Sequence, residues 1–267
     1  MGRVKRYFSN EFSRQKWSLE HDDASQFYIS SLQSSRSAVP LLLIRLIIFI
    51  GCIGILLAST ILTGLSWVHF GYWPVYLTHW GLVFITVTSG FAFYVSVIAV
   101  AQGSIDSSLG LPWYVKAYWL SYNSTVPIAL FITVFYWILL ATGEEEYAIN
   151  PVLDVFIHAI NSVLMLILVL VSQHPSNILH VYQPIAVTLV YLVFSIIYYF
   201  AGGTNPFGGH FIYPPLDWAK PGPTTGVVFG CAFVLIVLHL CVVVISLCRD
   251  WFSKRYIRDN RTVSIHP

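Results

Sequence analysis

The chain has 267 residues, of which 57% are hydrophobic and only 10% charged, where a soluble domain carries roughly a quarter charged residues. That composition excludes a soluble globular enzyme and reads as an integral membrane protein, and 16% aromatics suit rings placed at both headgroup levels. A net charge of +2 points to no nucleic acid; the lipid bilayer is the partner the composition names.

Residues 1–37 form a polar tail that mixes charge, Ser and aromatics without a clear period, compatible either with disorder or with a surface helix. Six apolar stretches follow, at about 40–64, 77–101, 117–141, 152–172, 184–202 and 225–248, each long enough to cross a bilayer as a helix. Turn chemistry or charge separates them: Gly71-Tyr72-Trp73-Pro74, residues 102–111, 143–151 and 173–184, and a long Gly-rich segment over 203–223. The expected fold is all-α and polytopic, a six-helix transmembrane domain over 38–248 between the first tail and a second tail over 249–267.

Lys and Arg set the orientation. The first tail holds Arg3, Lys5, Arg6, Arg14, Lys16 and Arg36, and the second Arg249, Lys254, Arg255, Arg258 and Arg261, with Lys116 in the second loop. Arg45, at the inner start of the first span, is expected to snorkel to the inner headgroups. Only Lys220 falls on the other side, so both termini are expected in the cytoplasm, which agrees with an even number of spans. The Glu144-Glu145-Glu146 loop and the Gly-rich loop then face outside or a lumen. The sequons Asn123-Ser124-Thr125 and Asn260-Arg261-Thr262 fall on the cytoplasmic side and are chance matches.

Polar residues inside apolar helices are the best guide to function, because ionisable groups in a bilayer turn inward and serve something. Asp154, His158 and Asn161 stand at i, i+4 and i+7 of the fourth span, within about 60° of one another on an unbroken α-helix, and at depths of about 3, 9 and 14 Å. Thr78 and His79 begin the second span at a comparable depth, and the last outer loop adds His210, Tyr213 and Asp217. One outward-facing polar chamber could gather all of these. The bland readings are a helix-capping Thr78, an interfacial Asp154, and His158, Asn161 and His239 bonded to neighbouring helices.

Recognised soluble-enzyme motifs are missing: no Gly-x-Ser-x-Gly elbow, no phosphate-binding loop and no His-Glu-x-x-His. Cys52, Cys231, Cys241 and Cys248 lie in or beside spans, too scattered for a disulfide framework or a metal site; Cys248 at the inner edge is a place where palmitoylation could occur. No metal or other cofactor is expected.

The run Ala201-Gly202-Gly203-Thr204-Asn205-Pro206-Phe207-Gly208, then Tyr213-Pro214-Pro215-Leu216-Asp217-Trp218, together with Ile160-Asn161-Ser162-Val163-Leu164-Met165, closely resembles the rolling stone family of animal membrane proteins. The resemblance covers nearly all of the hydrophobic portion. It implies a plasma-membrane protein acting in cell contact or myoblast fusion, with other membrane proteins as partners; the endoplasmic reticulum is the other membrane open to such a chain.

A more distant similarity carries more chemistry. The androgen-induced family of multi-span hydrolases cleaves fatty acid esters of hydroxy fatty acids with an intramembrane Thr nucleophile and a His. Its aromatic-Leu-Thr-aromatic segment is similar to Tyr76-Leu77-Thr78-His79, and its Val-Tyr-Pro-x-Leu-acidic segment to Ile212-Tyr213-Pro214-Pro215-Leu216-Asp217. Its His-x-Met-His-Thr segment is similar to His158-Ala159-Ile160-Asn161-Ser162, where the catalytic second His is matched by Asn161. An amide cannot serve as a general base. The resemblance therefore implies a lipid ester hydrolase only if His158 takes the proton of Thr78, Asp154 orients the imidazole and Asn161 donates to the oxyanion. The competing class is a non-enzymatic surface protein whose polar stripe locks helices together. A third class, a channel or transporter, needs polar groups through both halves of the membrane, and the inner halves offer little beyond Arg45 and His239.

Overall fold

Six helices long and apolar enough to cross a membrane organise the computed structural model, which describes residues 14–141 and 150–258. They are α1 Val39–Leu65, α2 Leu77–Gln102, α3 Trp113–Leu140, α4 Pro151–Val171, α5 Ile178–Phe200 and α6 Pro221–Ile257. No strand occurs among the described residues. The Glu144–Glu146 loop, the first thirteen residues and the Asn260 sequon lie outside them.

Each helix begins and ends where its sequence supplies the punctuation. Pro40 opens α1 and Pro151 opens α4, in the first turn, where the missing N–H has no intrahelical partner to lose. Asn150 caps α4 through its side-chain oxygen, which accepts from the amides of Val152 and Leu153. Gly103, at φ +75°, ends α2 in the left-handed conformation that glycine adopts at least cost.

α3 is the central helix, packed against α2, α4, α5 and α6, while α1 lies against α2 and α4. Lipid tails are as apolar as leucine, so helices in a bilayer associate through close packing and shared hydrogen bonds. Gly81 lets α2 approach α3 so closely that a Cβ there would run into Ile132. Higher in the same contact, Thr88 donates to Thr125 across the interface at 2.8 Å. Ile47, Ile61, Phe229 and Phe233 stay exposed, forming the surface that tails would cover.

The first and last described residues lie on one face of the six helices, here the terminal face, where Ser253 Oγ donates to the Ser31 carbonyl. Residues 14–38 are neither free tail nor surface helix. They make two short 3-10 turns, Arg14–Trp17 and Ala24–Phe27, and close over the bundle. Ser30 and Ser31 donate to Val171 and Leu170, satisfying carbonyls left over at the end of α4.

This closure corrects the expectation for Arg45. Its guanidinium is fully buried and donates to the carbonyls of Phe27 and Ala92 and to Ser96, Tyr118 and Ser172. The N-terminal segment supplies one acceptor and blocks the route to the headgroups, so the side chain points into the protein. α6 likewise continues past residue 248, and Arg249 turns inward to donate to the carbonyls of Val169 and His174. His239 reaches the carbonyl of Asn177 ahead of α5, and Asn123 bonds the His180 ring from a buried position that no glycosylating enzyme could reach.

Candidate functional site

On the opposite face, the first turn of α2 meets the first half of α4. Tyr76 precedes the helix in extended conformation, leaving Thr78 in the first turn, among amides that lack intrahelical partners. Its hydroxyl lies 3.3 Å from His158 Nε2. One helical turn before His158, Asp154 places Oδ1 2.8 Å from His158 Nδ1. A carboxylate only accepts, so Nδ1 carries the hydrogen, and Nε2 is then the acceptor for the Thr78 hydroxyl. Thr78, His158 and Asp154 are each less than a tenth exposed.

Tyr136 completes the arrangement from α3. Its hydroxyl donates to Asp154 Oδ2 at 2.5 Å, and its ring lies flat on the His158 imidazole. Both partners sit in π turns, Tyr136–Leu140 in α3 and Phe156–Ile160 in α4. Such single-turn irregularities inside α-helices are frequent at functional sites.

The second π turn also decides the fate of Asn161. An i→i+5 turn takes up an extra residue and rotates everything beyond it relative to an unbroken α-helix, so the α-helical spacing that aligned Asn161 with Asp154 and His158 does not apply here. It is fully buried against α3, where Oδ1 accepts from Thr133 and from the Ser162 amide, and its Nδ2 has no partner. Asn161 does not line the cavities beside Thr78.

The last loop delivers one side chain of the expected three. Tyr213 is buried with its hydroxyl accepting from the Leu77 amide at 2.9 Å, beside Thr78, and burial pushes its phenol up to about 12. His210 is exposed. Asp217 is drawn away because its side chain accepts from the Ala219 amide and its carbonyl from Thr224, wrapping it around the start of α6. His79 does line the chamber, stacked on Trp73 and bonded to that residue's carbonyl.

Two cavities meet at this point, and both are lined by Thr78, Tyr136, Leu140 and Tyr213. The first, about 140 Å³, is almost wholly apolar and runs between α3, α5 and α6. The second, about 100 Å³, lies towards α1 and the α1–α2 connection, with Ser59, Thr63, Tyr72 and Asn150 in its wall beside Asp154 and His158. Each is several times the roughly 30 Å³ share of one water, so each has room for part of a larger molecule.

Chemically, a hydroxyl bonded to a histidine whose other nitrogen is held by a carboxylate is the constellation of an activated nucleophile, its base and the group that orients the base. Nothing gathers a metal: no group of three His, Cys, Asp or Glu side chains among the described residues could hold one. The structure brings together Thr78, His158 and Asp154, which the sequence singles out, and adds Tyr136, which it does not. An aromatic among the many aromatics of an apolar helix carries no signal until its neighbours are known.

The family model for protein rolling stone matches residues 2–265 of this chain. Protein rolling stone of Drosophila melanogaster is 30% identical over 244 residues, which cover 87% of this chain and 86% of that protein. No solved structure matches.

Proposed function

This chain belongs to the rolling stone family, and from the geometry of its polar site we propose that it is an intramembrane lipid ester hydrolase with Thr78 as nucleophile. The observation that carries the reading is the 3.3 Å approach of the Thr78 hydroxyl to a His158 ring whose far nitrogen is bonded to Asp154. Hydroxyl and base are thus in contact before any substrate arrives, close to the 2.6–3.2 Å reach of general-base catalysis.

In the proposed reaction Thr78 Oγ bonds to the ester carbonyl carbon while its proton passes to His158 Nε2. The intermediate collapses by breaking the bond to the alcohol oxygen, which takes that proton from His158. Water then repeats the sequence on the acyl-threonine, releasing the fatty acid and restoring Thr78. Asp154 holds the imidazole in the required tautomer and stabilises its charged form. Tyr213, protonated and seated next to Thr78 by the Leu77 amide, is the donor best placed for the oxyanion, in the role the sequence suggested for Asn161.

Fatty acid esters of hydroxy fatty acids, the substrates of the androgen-induced hydrolases that this sequence distantly resembles, are the first compounds to assay. Full-length protein in nanodiscs should label with a fluorophosphonate and turn over such an ester, and Thr78→Ala should abolish both. Folded protein that neither labels nor hydrolyses would overturn the proposal.

A second reading is the one implied by the sequence resemblance, a non-catalytic protein of the plasma membrane acting in cell contact or myoblast fusion. Under it Thr78→Ala restores fusion to cells that lack the protein; under the hydrolase reading that variant fails to restore whatever process needs the activity.

A further inference from the structure

The two cavities are not equivalent with respect to His158, and that asymmetry assigns the two halves of a substrate. Resting on the hydrolase reading, we infer that the acyl chain lies in the apolar cavity between α3, α5 and α6, and that the alcohol half lies in the cavity towards α1.

Proton return sets the direction. The oxygen that leaves must receive a proton from His158, so it sits beside His158 Nε2 with the rest of the alcohol beyond it. His158 and Asp154 line the cavity towards α1 and not the apolar one. Thr78, which attacks the carbonyl carbon, lines both. A carbonyl held over Thr78 with its alkoxy oxygen on the His158 side therefore has its acyl chain directed the other way, past Tyr213 and Tyr136.

The linings agree with this direction. Phe131, Ile185, Val228, Ala232 and Leu235 offer the acyl side apolar surface alone. The other wall carries Ser59, Thr63, Tyr72, Asn150 and His79, which suit an alcohol bearing further oxygen atoms. From Val227 to Leu235 on α6 the acyl cavity spans about 12 Å at 1.5 Å per residue. That distance takes on the order of eight to ten carbons at bonds of about 1.5 Å. Past its first turn, Ile178–Val181, α5 makes few contacts with α6, so a longer chain can continue between the two helices into the bilayer. The substrate class is accordingly a medium- or long-chain acyl ester of a polar alcohol, chosen by its acyl half through apolar fit and by its alcohol half through hydrogen bonding.

Photocrosslinking of the unmodified protein in nanodiscs tests this without a variant. A slowly cleaved ester carrying a diazirine about eight carbons along its acyl chain should crosslink to Phe131, Ile185 or Leu235, and one carrying it on the alcohol should crosslink to Ser59, Thr63 or Tyr72. Crosslinks in the reverse pattern, or both probes in one cavity, would overturn the assignment while leaving the hydrolase reading intact. Ala232→Trp adds a kinetic readout: kcat/KM for a hexadecanoyl ester should fall at least tenfold relative to a butanoyl ester of the same alcohol. Lipid-facing Phe229→Leu should leave the ratio where it was. An unchanged ratio in folded Ala232→Trp counts against the assignment. Wild-type protein that turns over no ester defeats the hydrolase reading itself.

Discussion

The rings of Tyr136 and His158 lie parallel, with centroids 3.5 Å apart and 3° between their planes, while the Tyr136 hydroxyl donates to the carboxylate that His158 also uses. One side chain from α3 thereby fixes the plane of the imidazole and occupies the second oxygen of Asp154. Tyr136→Phe keeps the ring contact and removes the hydroxyl. A hydrogen bond to a charged group contributes about 1.5–3 kcal/mol, so kcat should fall about tenfold or more with KM little changed. A fall in kcat that comes with a matching rise in KM would mean that the hydroxyl acts on substrate binding instead.

His158→Ala and Asp154→Asn act on the proton path directly. Loss of the base should lower turnover about 10²–10⁴-fold. Asp154→Asn retains the shape and can present an N–H to Nδ1, which favours the wrong imidazole tautomer, so it too should be severe. Fluorophosphonate labelling rates for the two variants provide the check; wild-type labelling of His158→Ala would remove His158 from the reaction, and wild-type labelling of Asp154→Asn would remove Asp154 as the group that orients it.

Asn161→Ala is expected to be mild. Its Nδ2 has no partner and its Oδ1 only accepts from Thr133 and the Ser162 amide, so the loss should be near the ~0.6 kcal/mol typical of interhelical hydrogen bonds in membranes. Ester turnover should persist. A collapse of turnover in a variant as stable as wild type would restore Asn161 to the oxyanion role.

The helices were legible because apolar runs near 20 residues have one inexpensive fate in a bilayer, and Thr78, Asp154 and His158 because polar groups there are few. Asn161 was misplaced by a rule that holds only for an unbroken α-helix, and no residue in Phe156–Ile160 announces the π turn that breaks it. Arg45 was misread for a related reason. Snorkelling follows from local position, whereas the burial of Arg45 depends on Phe27, 18 residues earlier, folding back across the end of the bundle. Contacts set by chain reversal leave no periodic trace.

His174, in the connection between α4 and α5, makes stability depend on pH. Its ring is fully buried among Phe27, Tyr118 and Tyr122 with neither nitrogen bonded, and burial, then the nearby Arg249 and Arg45 charges, hold its pKa well below 6.5. The unfolded chain binds this proton more readily than the folded one, so the stabilisation is complete above about pH 6.5 and is lost progressively as pH falls below it. His174→Phe removes the titration and keeps an aromatic ring. Thermal unfolding in detergent from pH 7.5 to 5 should show a midpoint that falls more steeply for wild type than for His174→Phe; parallel curves would mean that other groups control the acid response.

Arg45 holds the terminal face together. It joins α1 to the Phe27 carbonyl, to Ala92 and Ser96 of α2, to Tyr118 of α3 and to Ser172 after α4, and its guanidinium stands 4.9 Å from the centre of the Tyr118 ring. Arg45→Met fills much of the space but leaves the Phe27 carbonyl and the Ser96 hydroxyl without their donor in a buried site, where each unsatisfied group costs about 1–3 kcal/mol. The variant should lose roughly 3 kcal/mol or more and release residues 14–38 to proteolysis. Arg45→Lys restores a charge without the planar fork that reaches five acceptors, so it should recover only part of the loss. Because Thr78 and His158 lie on the opposite face, fluorophosphonate labelling of whatever fraction remains folded should be unchanged. A stable, protease-resistant Arg45→Met protein would show that the N-terminal segment is held by its apolar contacts and its bonds to α4, with Arg45 contributing little.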